Sequence, residues 1–279
     1  MQKLLSMQQE IKKYPVQHPL LKKYIKFFWE IQSDHMELNH KVIPVRNIDL
    51  KFNLSDTPHY LWQDGKEHRL EKVYFSGLQD HFRNAQVRLN GKVHVLGICF
   101  LPEGFYPFLK VPVSEFKNQL LGLDEAGFKQ TNEISERLLE APDIAARLSL
   151  LENELVSILQ NNKQTDDNFR ELFYALNQNE YPFQLAEFCN RNNISIRQLE
   201  RMYNKYVGVS AMAYSTLHRF QNSLNQLLHH DYSKLSDIAY NNGYFDQMHF
   251  IKEFKRFTGN TPKNFLHQED SMLQIGKLK

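Results

Sequence analysis

Apolar and polar residues recur along this chain with two different periods. In the first half the period is two. Ile48 to Leu54 reads Ile-Asp-Leu-Lys-Phe-Asn-Leu, which places the apolar side chains on one face of a strand. Lys22 to Ile31 opens this β-rich region. Tyr60 to Trp62, Lys72 to Phe75 and Ala85 to Leu89 read as further short strands. Asn90-Gly91 is a hairpin-turn signal, and a longer strand follows from Val93 to Leu101, stopped by Pro102. Strands at this spacing predict a small barrel or sandwich. Phe108, Leu109, Val111 and Phe116 then mark a turn into helices.

From Glu133 to Gln160 the period becomes helical. Leu148, Leu151, Leu155, Ile158 and Leu159 form one stripe. Such a stripe serves either as a dimer seam or as the inner face of a helix packed on its own β domain. The polar run that follows is the best linker, which divides the chain into residues 1–162, a linker at 163–168 and an all-α region at 169–279. The expected fold class is α+β, a β-rich barrel or sandwich with flanking helices, then two helix-turn-helix units joined by a linker helix.

That last expectation comes from an internal repeat. A first module runs from Phe188 to Ser195, continues through Ile196 to Tyr203 and closes with Gly208-Val209-Ser210. A second runs from Ile238 to Phe245, continues through Asp246 to Phe254 and closes with Gly259-Asn260-Thr261. Each has a short helix with a small residue (Cys189, Ala239), then a residue suited to a left-handed backbone (Asn193, Gly243). Each second helix starts at a capping side chain, Ser195 or Asp246, and stops at a glycine, Gly208 or Gly259. Leu199, Met202 and Tyr203 form the inward face of one, and Phe250, Ile251 and Phe254 that of the other. The outward faces carry Arg197, Glu200, Arg201 and Lys205 in the first copy. In the second they carry Gln247, Met248, His249, Lys252, Lys255 and Arg256. Arg and Lys contact phosphates, and Arg and Gln also read base edges in the major groove. A solvated helix face would look similar singly, but matched caps, turns and stops in two copies point to DNA.

The segment Asp237 to Pro262 resembles the signature of the AraC/XylS family of bacterial transcription regulators. The resemblance covers about a third of the chain. It implies two helix-turn-helix units joined by a helix from about Ala211 to His229, double-stranded DNA as partner, and RNA polymerase as a second partner. It carries base-contacting roles to Arg197, Glu200 and Arg201, and to Gln247, Met248 and Lys252. Four residues depart from the family pattern: Cys189 for Ala, Asn193 for Gly, Ala211 for Pro, and Phe245 where Ser is common. None removes a helix or a cap. The first half loosely resembles the sensor domains that precede such units, at His18-Pro19-Leu20, Phe28-Trp29-Glu30, Val42-Ile43-Pro44, Phe52-Asn53-Leu54 and Gly97 to Gly104. That implies a small-molecule effector and allows a homodimer.

Composition narrows the rest. The 279 residues are 42% hydrophobic and 24% charged, as in ordinary globular proteins. No apolar run reaches the ~20 residues needed to span a bilayer, and Met1 to Tyr14 lacks the apolar core of a signal peptide, so a cytoplasmic location is expected without a membrane partner. Cys99 and Cys189 lie far apart in apolar contexts, which argues against a disulfide or metal site. Net charge is only +2, but residues 183–266 hold ten basic and six acidic residues, a local balance of +4.

His18, His35, His40, His59, His68, His81 and His94 are scattered through the first half, with His59 and His94 the best placed for a metal. A second reading is therefore a small cupin-like β-barrel enzyme with a DNA-binding tail. The scattered histidines, and the absence of a phosphate loop or nucleophile elbow, favour a regulator with no catalytic residue, metal or cofactor.

Overall fold

The computed structural model describes residues 11–122, 131–162, 167–177 and 185–267. Residues 163–166 of the expected linker and Met1 to Glu10 of the polar N-terminus lie outside them. Eight strands form one antiparallel sheet: β1 (Lys12–Tyr14), β2 (Ile25–Lys41), β3 (Asp49–Asn53), β4 (Tyr60–Gln63), β5 (Lys66–Arg69), β6 (Val73–Ser76), β7 (Gln86–Phe100) and β8 (Leu120–Gly122). The order is β1-β2-β7-β3-β6-β8. The long strand β7 organises it. One edge of β7 pairs with β2 over most of its length, while the other edge pairs with β4 at one end and β3 at the other.

One strand expectation is corrected. Asn90-Gly91 is no hairpin turn: β7 runs straight through it, with Asn90 opposite Glu37 and Gly91 opposite Met36. The register shifts between Ser33 and Met36, and Gly91 has φ +120°. The flexible dipeptide thus absorbs a β-bulge in a strand held by β2, because long-range pairing overrides a local turn preference. The tight turn lies instead at Asp64-Gly65, where both φ values are positive and β4 meets β5. The β-rich region expected to open with Lys22 to Ile31 opens with β2, which begins at Ile25 and runs on to Lys41.

Ten helices are described: α1 (Tyr106–Leu109), α2 (Thr131–Glu140), α3 (Ile144–Asn161), α4 (Asp167–Asn177), α5 (Leu185–Arg191), α6 (Ile196–Tyr206), α7 (Ala211–Leu228), α8 (Leu235–Asn241), α9 (Gln247–Thr258) and α10 (Pro262–His267). The stripe on α3 packs inward: Leu151, Leu155 and Leu159 are buried in the same core as the sheet.

Three apolar clusters hold the molecule. One spans the inner face of the sheet, α3, α4 and the first helix-turn-helix, from Phe28 and Phe75 to Phe169, Leu199 and Tyr203. The second belongs to the second helix-turn-helix, with Phe220, Phe250, Phe254 and Phe265, and takes one residue from the sheet region, Ile43. The third lies on the opposite side of β2 and β7, around Trp29, Val93 and Val95. A Cβ on Gly97 would lie 2.0 Å from the indole of Trp29, its cross-strand partner, so only glycine admits the ring there.

Candidate nucleic-acid interface

Both helix-turn-helix units are built as their residues dictate. Asn193 has φ +51° and Gly243 φ +68°, so each turn passes through the left-handed region. Ser195 Oγ accepts from the Gln198 N–H at 3.2 Å, and Gln198 Oε1 accepts from the Ser195 N–H at 3.0 Å, a reciprocal capping box on α6. Asp246 Oδ1 accepts from the His249 N–H at 2.7 Å and caps α9. Ser210 Oγ accepts from the Ala213 N–H at 3.0 Å and starts α7, the helix that joins the units. Leu199, Tyr203, Phe250 and Phe254 are fully buried, so the opposite faces of α6 and α9 point outward.

Four of the ten candidate DNA-contacting residues are engaged within the chain. Glu200 Oε2 accepts from the Ala211 N–H at 3.1 Å and so caps α7. Lys205 is half-buried, with its ammonium 4.9 Å from the ring of Tyr106 and 4.7 Å from that of Tyr206. His249 is half-buried against Tyr244, with ring centres 5.3 Å apart, and its Nδ1 accepts from the Phe245 N–H at 3.4 Å. The Arg256 guanidinium donates to the carbonyl of Asp80 at 3.1 Å. Arg197, Arg201, Gln247, Met248, Lys252 and Lys255 are exposed. Sequence position could not separate these groups, because a helical face says nothing of which neighbour covers it.

Two segments of the sheet region hold the second unit. Ile43 is buried among its apolar side chains. Beside it, Arg46 Nε donates to Gln221 Oε1 at 2.8 Å, and Gln221 donates to the Pro44 carbonyl at 3.4 Å. Burial and the nearby Arg46 guanidinium hold His218 of α7 down at about 4, so its imidazole is neutral at pH 7. On the other side, the Phe82 N–H donates to the Arg256 carbonyl at 3.0 Å. A Cβ on Gly259 would meet the Phe82 ring at 2.6 Å.

The same two segments line a cavity against the sheet. Val42, Ile43, Val45 and Asn47 form one wall, and Ser76, Gly77 and Gln79 another. The remaining lining is largely apolar, with Asp49, Lys51 and Tyr74 as polar groups. Asp49 Oδ1 accepts from the Trp29 indole N–H at 3.0 Å. Burial pushes the Asp49 carboxyl up and pulls the Lys51 amine down from their usual ranges. Gln79 Oε1 is buried without a hydrogen-bond partner. His59 and His94 do not line the cavity: His59 Nδ1 lies 3.1 Å from the Tyr74 hydroxyl, and His94 Nε2 lies 2.9 Å from Glu30. Among the described residues, no three His, Cys, Asp or Glu side chains come together as a metal site, and no helix is long and apolar enough to cross a membrane.

Residues 188–268 match a family model described as a helix-turn-helix domain. That match covers the two capped units and the helix that joins them. The C-terminal third of the chain is thus a helix-turn-helix region by both sequence match and geometry. Residues 16–122 match a domain of unknown function, DUF6597. The HTH-type transcriptional activator RhaR of Yersinia pseudotuberculosis (serotype O:1b, strain IP 31758) is 30% identical over 83 residues, which are 30% of this chain and 28% of that protein. The RhaR of Yersinia pestis bv. Antiqua (strain Angola) matches to the same extent. The matched segment thus spans little more than a quarter of these relatives. Among solved structures, an apo ToxT variant of Vibrio cholerae strain SCE256 has 12% identity and a TM-score of 0.46, covering 86% of this chain and 97% of that one. ToxT of Vibrio cholerae O395 has 12% identity and a TM-score of 0.45, covering 89% and 97%. At these scores neither neighbour defines the fold or a ligand of this chain.

Proposed function

We propose that this chain is a sequence-specific DNA-binding transcription regulator whose two recognition helices, α6 and α9, enter successive major-groove segments. The observation that carries the reading is the repeat itself: two units, each with a left-handed residue in its turn, a cap on its second helix and an exposed polar face. Arg197 and Arg201 are the base-reading side chains of α6, and Gln247, Met248 and Lys252 those of α9, with Lys255 on phosphate. The RhaR relatives are named as transcriptional activators, which supports the same role here. Binding of the full chain to random duplex pools at two salt concentrations, followed by sequencing, tests it. An enriched motif with two blocks about one helical turn apart, lost steeply as salt rises, is expected. Salt-sensitive retention without a motif would reduce the chain to a non-specific binder.

Control runs through the N-terminal domain. The segments 42–47 and 76–82 line its cavity through Val42, Ile43, Val45, Asn47, Ser76, Gly77 and Gln79 and hold the second unit through Ile43, Pro44, Arg46, Asp80 and Phe82, so an effector in the cavity meets the segments that hold α7 and α9. A ligand moves this equilibrium only as far as its affinities for the docked and released states differ. Ile43→Ala tests the link, because Ile43 is buried away from the exposed faces of α6 and α9. The substitution should speed amide exchange in α7–α10, leave the sheet protected, and change DNA affinity. Unchanged affinity with faster exchange would cut the proposed connection.

A further inference from the structure

The two units differ where the turn meets the second helix. In the first, Ile194 alone separates the left-handed Asn193 from the cap Ser195. In the second, Tyr244 and Phe245 separate Gly243 from Asp246. Tyr244 takes the inward place, 6% exposed within the apolar core of the unit. Phe245 is the extra residue and is 92% exposed. Met248, in the first turn of α9, is 71% exposed, and Tyr240 of α8 is 86% exposed. These are the three most exposed large apolar side chains among the described residues, and they fall within nine positions. In the first unit, the position that matches Met248 is Arg197.

Given the regulator reading, we propose that the second unit recognises a thymine-rich half-site by burying thymine methyl groups against Met248 and Phe245, while the first unit reads its half-site through Arg197 and Arg201. The N-terminal residues of a recognition helix are those that reach base edges. The thymine C5-methyl is the apolar group that base edges display in the major groove. A flexible, polarisable thioether follows such a surface closely. The exposed Gln247, Lys252 and Lys255 flank the patch, so its surroundings suit a polyanion better than an apolar protein surface. Tyr240, on the helix that crosses the backbone, places its hydroxyl for a phosphate. The sheet region grips α9 at its far end, through Arg256 and Gly259, and leaves Phe245 and Met248 exposed.

Replacing thymine by uracil removes only the methyl, which gives a direct test. Duplexes selected by the full chain from a random pool would be remade with deoxyuridine in one block at a time. Lys252→Ala identifies the block read by α9, since its preference relaxes in that variant. Uracil in that block should weaken binding about 4-fold per contacted methyl, the equivalent of ~0.8 kcal/mol for one buried carbon. Uracil in the other block should change binding less than 2-fold. Met248→Ala should bind thymine DNA more weakly and lose most of the thymine–uracil difference, and Phe245→Ser should do so in part. Sequence-specific binding with no uracil effect in the α9 block would overturn the methyl reading and leave the regulator standing. Failure to enrich any motif would overturn both.

Discussion

The two helix-turn-helix units are copies of one design in different surroundings. The first has no core of its own. Phe169 of α4 stacks on Tyr206 at 4.6 Å and meets Tyr203 edge-on at 5.5 Å, within the cluster that reaches Phe28 and Phe75 of the sheet. Tyr106 of α1 adds an edge contact to Tyr206 at 4.8 Å. The second unit has a core of its own, and the sheet region touches it through Ile43, Arg46 and Phe82. A shared apolar core makes two elements fold as one, whereas a few contacts at a seam leave one element free to move against the other. The fixed unit and the held unit therefore suit different tasks, one to anchor the chain and one to be regulated.

The strongest way to break this contrast is to hollow each core in turn. Both tryptophans, Trp29 and Trp62, lie in the sheet, so indole fluorescence reports that region alone. Phe169→Ala should cost about 3–5 kcal/mol and lower the melting transition seen by tryptophan and by helical circular dichroism together. Phe254→Ala, in the separate core, should cost a similar amount but lower the helical transition first, with the tryptophan signal close to wild type. Coincident transitions in Phe254→Ala would merge the two units into one cooperative block and end the distinction.

Local grammar made the second half readable. Ser195, Asp246, Asn193 and Gly243 perform the capping and turning that their chemistry suggests, because those interactions close within a few residues. Asn90-Gly91 misled for the complementary reason. The dipeptide favours a turn locally, but the pairing of β7 with β2 extends across it on both sides. Glu200, Lys205 and Arg256 show the same limit on the candidate interface: their partners are Ala211, Tyr106 and Asp80, and two of these belong to the sheet region. The cavity was legible only as aromatic and apolar content, since its polar groups Asp49, Lys51, Tyr74 and Gln79 come from separated segments.

Acid offers a smaller perturbation, aimed at the sheet. His59 is fully buried, its Nδ1 pairs with Tyr74 and its Nε2 has no partner. Burial, with the Lys51 charge in addition, holds its pKa down at about 4, below the usual 6.5. The unfolded chain therefore takes up this proton first as pH falls. The contribution of neutral His59 is complete above about pH 6.5 and is lost progressively down to about pH 4, on the order of 3 kcal/mol in all. The tryptophan-detected transition should drop between pH 7 and pH 5, and His59→Gln should flatten that drop. An equal drop in the variant would assign the acid sensitivity to other groups, His218 at the seam foremost.

The smallest perturbations are the caps, and they compare the units most directly. Ser195→Ala removes one half of a capping box, and Asp246→Ala removes a single charged cap, each worth about 1 kcal/mol. The sums are similar, so what distinguishes them is where the loss appears. α6 is set in the common core, and the loss of Ser195 should lower the tryptophan-detected transition by a few degrees. α9 is set in its own core, and the loss of Asp246 should speed amide exchange at the start of α9 while the tryptophan transition stays in place. If Asp246→Ala moved that transition as far as Ser195→Ala, the contacts at Ile43 and Phe82 would couple the second unit as tightly as the shared core couples the first, and an effector in the cavity could no longer act by releasing it.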